Sequence, residues 1–118
     1  DPGPVRVDRM QEAVAVMKAL LGDGVVTHEG RHYRVTNLDG RPKPVQRPHP
    51  PLLIGGARKR VLRFAGREAD IVSLNFDNSS GKIGPAGVGS STAELTAQKI
   101  DWIRTGAGDR VRRRVCRP

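Results

Sequence analysis

The chain has 118 residues, enough for one small domain, and aromatic residues make up only 3% of it, so any hydrophobic core is thin. Lysine and arginine number 21 against 12 acidic residues. A net charge of +9 suggests anionic ligands or partners, but the charges are mixed along most of the chain, which favours an ordinary solvated surface. A single cysteine excludes an internal disulfide framework, and no apolar run is long enough to span a membrane.

The positive charge is concentrated in two places. Residues 110–118 hold five arginines and no acid, so the rest of the chain carries 9 − 5 = +4. An internal cluster comprises Arg58, Lys59, Arg60 and Arg63. A basic nucleic-acid-binding fragment is one interpretation, but aromatic side chains that stack on bases are scarce, so we expect no nucleic-acid partner. With no signal peptide visible, we expect a cytoplasmic protein without a membrane partner.

The first elements in chain order are a helix, a hairpin and a loop. Apolar residues three and four apart predict a helix from Val7 to Leu21, with Asp8 capping its start. The alternating segment Val25 to Val35 predicts a hairpin that turns at Glu29-Gly30. Residues 37–51 contain five prolines and predict an extended loop.

The hairpin contains HEGRH, His28 to His32, which matches the H-E-x-x-H zinc motif. Zinc chemistry needs both histidines on one face of a helix, whereas here the flanks are β-branched and Gly30 lies inside the motif. In a hairpin the two histidines would instead be cross-strand neighbours. No third ligand is apparent, so we predict no metal site.

A strand, a helix and a second strand follow. Leu52 to Ile54 predicts a short strand buried on both faces, broken by Gly55-Gly56. Ala57 to Ala69 predicts a helix whose inner face includes Leu62 and Ala65, and Ile71 to Phe76 predicts another strand. Two apolar strands joined by one helix indicate a parallel βαβ unit.

The last predicted elements are a loop and a helix. Asn78 to Ser90 is rich in glycine and predicts a flexible loop. Ser91 and Glu94 form a capping box that opens a helix from Thr92 to Arg104. Three larger side chains share one face of that helix: Leu95, Lys99 and Trp102.

Two fold families place a phosphate at such a turn between strand and helix. The dinucleotide-binding fingerprint G-x-G-x-x-G fits poorly, because it needs three glycines and Gly55-Gly56 is followed by Ala57 and Arg58. Asp77 does lie where the acid that binds the ribose would be. Barrel enzymes hold phosphate on backbone N–H groups after a late strand. An anion at this turn would relieve the repulsion among Arg58, Lys59 and Arg60 in the first turn of the helix. Three solvated residues on the surface explain the same basic cluster equally well.

The segments VTHEGRHYRV and RPKPVQRPHPPLLIGGARKRVLRFAGREADIVSLN decide between these readings. Together they resemble the luciferase-like flavin and deazaflavin oxidoreductases, most closely the deazaflavin branch, over Val5 to Asp109. The resemblance implies an α/β fold, a partial (β/α)8 TIM barrel in which residues 1–109 form an interior segment. Residues 110–118 would then be an aberrant, disordered basic tail, as expected from a frameshifted or truncated gene.

The resemblance also implies a function. The ribityl-phosphate end of the cofactor would be bound by Gly55, Gly56, Ala57 and Arg58. The cofactor would be the deazaflavin coenzyme F420, with FMN as the alternative, and hydride would pass between it and a small-molecule organic substrate. An FMN-dependent monooxygenase and an inactive remnant stay open as alternatives. Catalytic residues would lie outside this chain, the fragment alone is expected to be inactive, and the full-length parent could form a homodimer.

Overall fold

The structure, a computed structural model, describes residues 1–77 and 85–110. They form two compact units, one of residues 1–50 and one that begins at Pro51. The first unit contains α1 (Gly3–Leu21), β1 (Val26–Glu29) and β2 (Arg34–Leu38); the second contains β3 (Leu53–Gly56), α2 (Lys59–Glu68), β4 (Ile71–Leu74), α3 (Pro85–Val88) and α4 (Ala93–Ala107). This mixture confirms the α/β class, while two-stranded sheets do not by themselves show a barrel.

Helix α1 begins four residues earlier than predicted. Pro4 lies in its first turn, where a missing N–H leaves no hydrogen bond unmade, and Asp8 lies inside the helix, so its assignment as cap is wrong. Val14 and Val16 are buried, whereas Met17, an apolar residue of the predicted helix, is 40% exposed.

The predicted hairpin is confirmed, but Glu29 is the last residue of β1 and pairs with Arg34, so the turn spans residues 30–33 and the prediction of a turn at Glu29-Gly30 is wrong. β1 pairs antiparallel with β2, and His28 lies opposite Val35. The turn is closed by the Gly30 N–H, which donates to the Tyr33 carbonyl at 3.0 Å. His32 lies in that turn, so the prediction that the two histidines are cross-strand neighbours is wrong.

The predicted parallel βαβ unit is also confirmed, with different strand ends. β3 pairs with β4 so that Leu53 lies opposite Ile71 and Gly56 opposite Leu74. Both glycines therefore belong to β3, and the prediction that they break the strand is wrong. The chain leaves the strand at Ala57. Since Leu53 and Ile71 are 57% and 51% exposed, the expectation of burial on both faces is also wrong.

Helix α2 supplies most of the core of the second unit. Leu62 and Ala65 are fully buried, as predicted, and Phe64 is 4% exposed. Two glycines lie where α2 meets α4. A Cβ on Gly66 would meet the Ile103 carbonyl of α4, and one on Gly106 would meet the backbone of Arg63 in α2. The two backbones are therefore close enough that neither position has room for a side chain.

Helix α4 begins one residue later than predicted, at Ala93, and ends three residues later, at Ala107. Thr92 is the N-cap residue, and its Oγ1 accepts a hydrogen bond from the Leu95 N–H at 3.3 Å, so the assignment of Ser91 is wrong. The helix passes through Gly106 and ends at Gly108, whose φ of 52° favours glycine.

The described part of the predicted loop is helical, with α3 followed by a 3₁₀ turn at Gly89–Ser91. Residues 78–84 of that loop and residues 111–118 of the predicted tail lie outside the described residues. Arg110 is described, and its guanidinium donates to the carbonyl oxygens of Arg67 and Ala69 at the end of α2. Within the described ranges, no helix combines the length and apolar character needed to cross a membrane.

Candidate functional site

A cavity of about 550 Å³ lies in the second unit, where the chain leaves the carboxyl ends of β3 and β4. Its volume is in the range of small-molecule sites. It is lined by the β3–α2 connection and the first turn of α2, by Asp77 after β4, and by one face of α4; the residues are Ala57, Arg58, Lys59, Arg60, Asp77, Leu95, Gln98, Lys99 and Trp102. We refer to it as the basic cavity, because the described residues of its lining include four cations and one acid.

The structure divides the four predicted site residues into two pairs. Ala57 and Arg58 line the basic cavity, whereas Gly55 and Gly56 are not among its lining residues. A Cβ on Gly56 would lie 2.7 Å from Val61 Cγ1, and one on Gly55 would lie 2.9 Å from Asn75 Nδ2. Packing within the unit therefore accounts for both glycines without a ligand.

The amino end of α2 opens into the cavity without a cap from its N-cap residue. That residue is Arg58, whose guanidinium has no acceptor atom, unlike Thr92 at the start of α4. The first N–H groups of a helix have no carbonyl partner within it, and they give this end a partial positive charge. Lys59 and Arg60 add full charges in the same turn. An anion would be stabilised here by amides and cations together.

An ion pair joins the segments that follow the two strands. Arg58 Nε lies 3.3 Å from Asp77 Oδ1, and Nη2 lies 3.2 Å from Oδ2, an arrangement in which two nitrogens face two oxygens. The side chains of Arg58 and Asp77 are 64% and 32% exposed. The pair is therefore accessible to solvent and to ligands.

The opposite wall is supplied by α4. Leu95, Lys99 and Trp102 all line the cavity, so the prediction that they share a face is confirmed. Lys99 is only 6% exposed, and its Nζ donates to the Asn75 carbonyl at 3.1 Å, just after β4. A buried ammonium beside an apolar wall is held in a fixed position, which is what recognition of an anionic group requires.

The first unit holds a second polar cluster, centred on Glu12 of α1. Its Oε1 lies 3.0 Å from His28 Nε2, and the carboxylate accepts from the backbone N–H groups of His32 and Tyr33. The hydrogen bond with His28, helped by the two backbone N–H groups, lowers the pKa of Glu12 to about 2, although partial burial acts the other way. In residues 1–77 and 85–110 no three His, Cys, Asp or Glu side chains are placed to hold a metal.

A cavity of about 350 Å³ also lies in the first unit, lined mainly by apolar side chains of α1 together with Tyr33 and residues 40–42. Arg41 is the charged residue among the described residues that line it. It is paired with Asp39 at 2.7 Å, and that contact, with help from Lys43, lowers the pKa of Asp39. A cation already matched by an acid gives this cavity little preference for an anionic ligand.

The sequence predicts the basic cluster but not the residues that the fold places beside it. The fixed position of Lys99 depends on its distance from Asn75, which no local pattern reveals. Asp77 lies about twenty residues after the glycines in the sequence, and the structure pairs it with Arg58. Glu12 lies inside a helix, where its contacts with a hairpin have no sequence signature.

The chain is similar to known proteins over most of its length. The family model of the luciferase-like monooxygenases matches residues 2–83. The chain is 29% identical over 76 residues to an FMNH2-dependent dimethylsulfone monooxygenase of Pseudomonas putida, an alignment that covers 64% of this chain and 21% of that protein. The chain thus aligns with about a fifth of the length of this curated relative. The family match includes Arg58 and Asp77 and ends before α4, which supplies Lys99.

Proposed function

Because the chain belongs to the luciferase-like monooxygenase family, we propose that it is part of a flavin-dependent oxidoreductase and that its basic cavity binds the cofactor's phosphate end. The observation that carries the proposal is the convergence of four cations and the amino end of α2 on one cavity. The cofactor supplies the redox chemistry when bound, and the residues of this chain bind and orient it.

The lining of the basic cavity fits a ligand that carries an anionic group on a chain less polar than that group. Arg58, Lys59 and Arg60 stand at the helix end, where a phosphate would also accept from backbone N–H groups. Lys99 faces it from α4, and Leu95 and Trp102 offer apolar surface beside it. In this proposal the first turn of α2, and not Gly55 and Gly56, binds the phosphate end of the cofactor. Ala57 and Arg58 take part in binding it, as the sequence predicts.

We favour reduced FMN as the cofactor, because the curated relative is named as FMNH2-dependent. The deazaflavin coenzyme F420 is the second candidate, supported by the resemblance of residues 41–75, and it presents a similar ribityl-phosphate end. We further propose that β3, α2 and β4 are a slice of a (β/α)8 barrel, and that the whole enzyme acts on a small organic molecule. A homodimeric, cytoplasmic parent enzyme remains part of the proposal.

The first test is phosphate binding by the full 118-residue chain. Trp102 is the only tryptophan and lines the cavity, so its fluorescence reports on ligands there. We expect Lys59→Gln and Lys99→Met each to weaken binding of inorganic phosphate about tenfold, because each removes a charged hydrogen-bond donor. Arg104→Gln is the control, since it removes one positive charge from α4 outside the cavity lining. Equal affinities in all four proteins would overturn the proposal.

A competition titration separates the two cofactors. Oxidised FMN and coenzyme F420 are each titrated against chain saturated with inorganic phosphate. We expect FMN to displace phosphate at the lower concentration. Tighter binding of F420 would reverse the order of the candidates, and displacement by neither would remove the flavin from this site.

A further inference from the structure

The Arg58–Asp77 ion pair lies in the basic cavity, and an anionic ligand that binds Arg58 would have to break it. The Asp77 carboxylate presents two oxygens to two guanidinium nitrogens, at 3.2 and 3.3 Å. A phosphate presents its oxygens to an arginine with the same geometry. The carboxylate therefore takes the place on Arg58 that a phosphate oxygen pair would take.

We infer that Asp77 is an internal competitor for Arg58, a carboxylate that an entering phosphate group must displace and that sets the affinity and charge selectivity of the basic cavity. The inference rests on the proposed function, because it assumes that the cavity binds an anionic group. According to this inference, Asp77 opposes binding of the anion, whereas the cations of the cavity favour it.

Displacement is feasible because the pair is held in contact with solvent. Arg58 is 64% exposed and Asp77 is 32% exposed, and exposed ion pairs are weak. Once displaced, the Asp77 carboxylate stays beside the bound anion, as the acid among the lining residues that the structure describes. Coulomb repulsion at about 6 Å in water-like screening costs about threefold in affinity per ligand charge, so about tenfold for a dianion.

This difference in charge leads to selectivity. Neutralising Asp77 should strengthen binding of inorganic phosphate, a dianion at pH 8, by about tenfold, and binding of the monoanion dimethyl phosphate by about threefold. A purely structural role for Asp77 would change both affinities equally or lower both.

The test uses Trp102 fluorescence in the full chain at constant ionic strength, with both anions titrated into wild type, Asp77→Asn and Asp77→Ala. Asp101→Asn is the matched control, because it removes the same charge from an exposed position of α4 that does not line the cavity. Circular dichroism melts establish that each variant is folded, and the alanine variant serves if the asparagine variant is not.

The expected result is tighter phosphate binding by the Asp77 variants, with a larger gain for the dianion, and wild-type affinity for Asp101→Asn. Phosphate binding by an Asp77 variant but not by wild type would also support the inference. If wild type binds phosphate and neither Asp77 variant binds it more tightly, Asp77 is not a competitor, and the proposed function stands. Absence of phosphate binding in every protein would overturn both.

Discussion

Glu12 and His28 join α1 to the β-hairpin, with Glu12 Oε1 3.0 Å from His28 Nε2. The same carboxylate receives the backbone N–H groups of His32 at 3.0 Å and Tyr33 at 2.9 Å. One side chain thus satisfies three donors of the strand end and turn. The segment HEGRH is therefore explained by an acid sixteen residues before its first histidine.

The contacts of Glu12 predict a specific dependence of stability on pH. The pKa falls from an ordinary value of 4.5 to about 2 in the folded chain, so the carboxylate's stabilisation is complete above pH 4.5 and is lost as the pH falls toward 2. Urea unfolding between pH 2 and 7 should show wild type losing its advantage over Glu12→Gln in that window. Glu29→Gln, which removes a carboxylate from an exposed ion pair with Arg34, is the control for the loss of one negative charge. A Glu12 carboxyl signal that titrates near 4.5 by NMR would contradict the prediction.

Gly30 provides a second test of the same contact. A Cβ at this position would meet Glu12 Oε1 and His28 Nε2, so Gly30→Ala should push the carboxylate away from the turn. The effects of Gly30→Ala and Glu12→Gln on unfolding free energy should then be non-additive in a double-mutant cycle, because both remove one interaction. Additive effects would show that Gly30 acts independently of Glu12.

The spacing of apolar residues and the turn residues were sufficient to predict whether each of the larger elements is a helix or a strand. The three-and-four spacing of α1, the alternation around Gly30 and the two apolar runs flanking α2 predicted a helix, a hairpin and a parallel pair, and all three are present. The ends of the helices were less well predicted, because two neighbouring residues can both be suitable as the N-cap. Thr92 caps α4 where Ser91 was expected, because both side chains can accept and only the backbone geometry selects one.

The site was predictable only in part, because its charges come from separate elements. Arg58 is predictable because it lies two residues after Gly56, whereas Lys99 lines the cavity from a helix and is 41 residues further along the chain. The sequence predicts that Gly55 and Gly56 break the strand and that their lack of a Cβ lets the backbone approach a phosphate. The structure shows a different use of the missing Cβ: room for Val61 beside Gly56.

The two glycines of β3 should therefore respond differently to alanine. At Gly56 the new Cβ would meet Val61 Cγ1 at 2.7 Å within the packed interface of α2, so Gly56→Ala should lower unfolding free energy by about 1–3 kcal/mol. At Gly55 it would meet the amide end of the Asn75 side chain, which can rotate away, so Gly55→Ala should cost under about 1 kcal/mol. Thermal and urea unfolding of both variants measures the difference. Loss of phosphate affinity without loss of stability in Gly56→Ala would instead place that glycine at the ligand.

The crossing of α2 and α4 makes the strongest prediction about stability. A Cβ on Gly106 would lie 2.7 Å from Arg63 Cα, and the obstacle is backbone rather than a movable side chain. Gly106→Ala should force the helices apart and lower unfolding free energy by about 3 kcal/mol or more, with a smaller urea midpoint. Gly89→Ala is the control in the same unit, because its Cβ would meet nothing within 4 Å. Since Lys99 and Trp102 lie on α4, a folded fraction of Gly106→Ala should also bind phosphate less tightly. Wild-type stability in this variant would show that the two helices do not approach at these glycines.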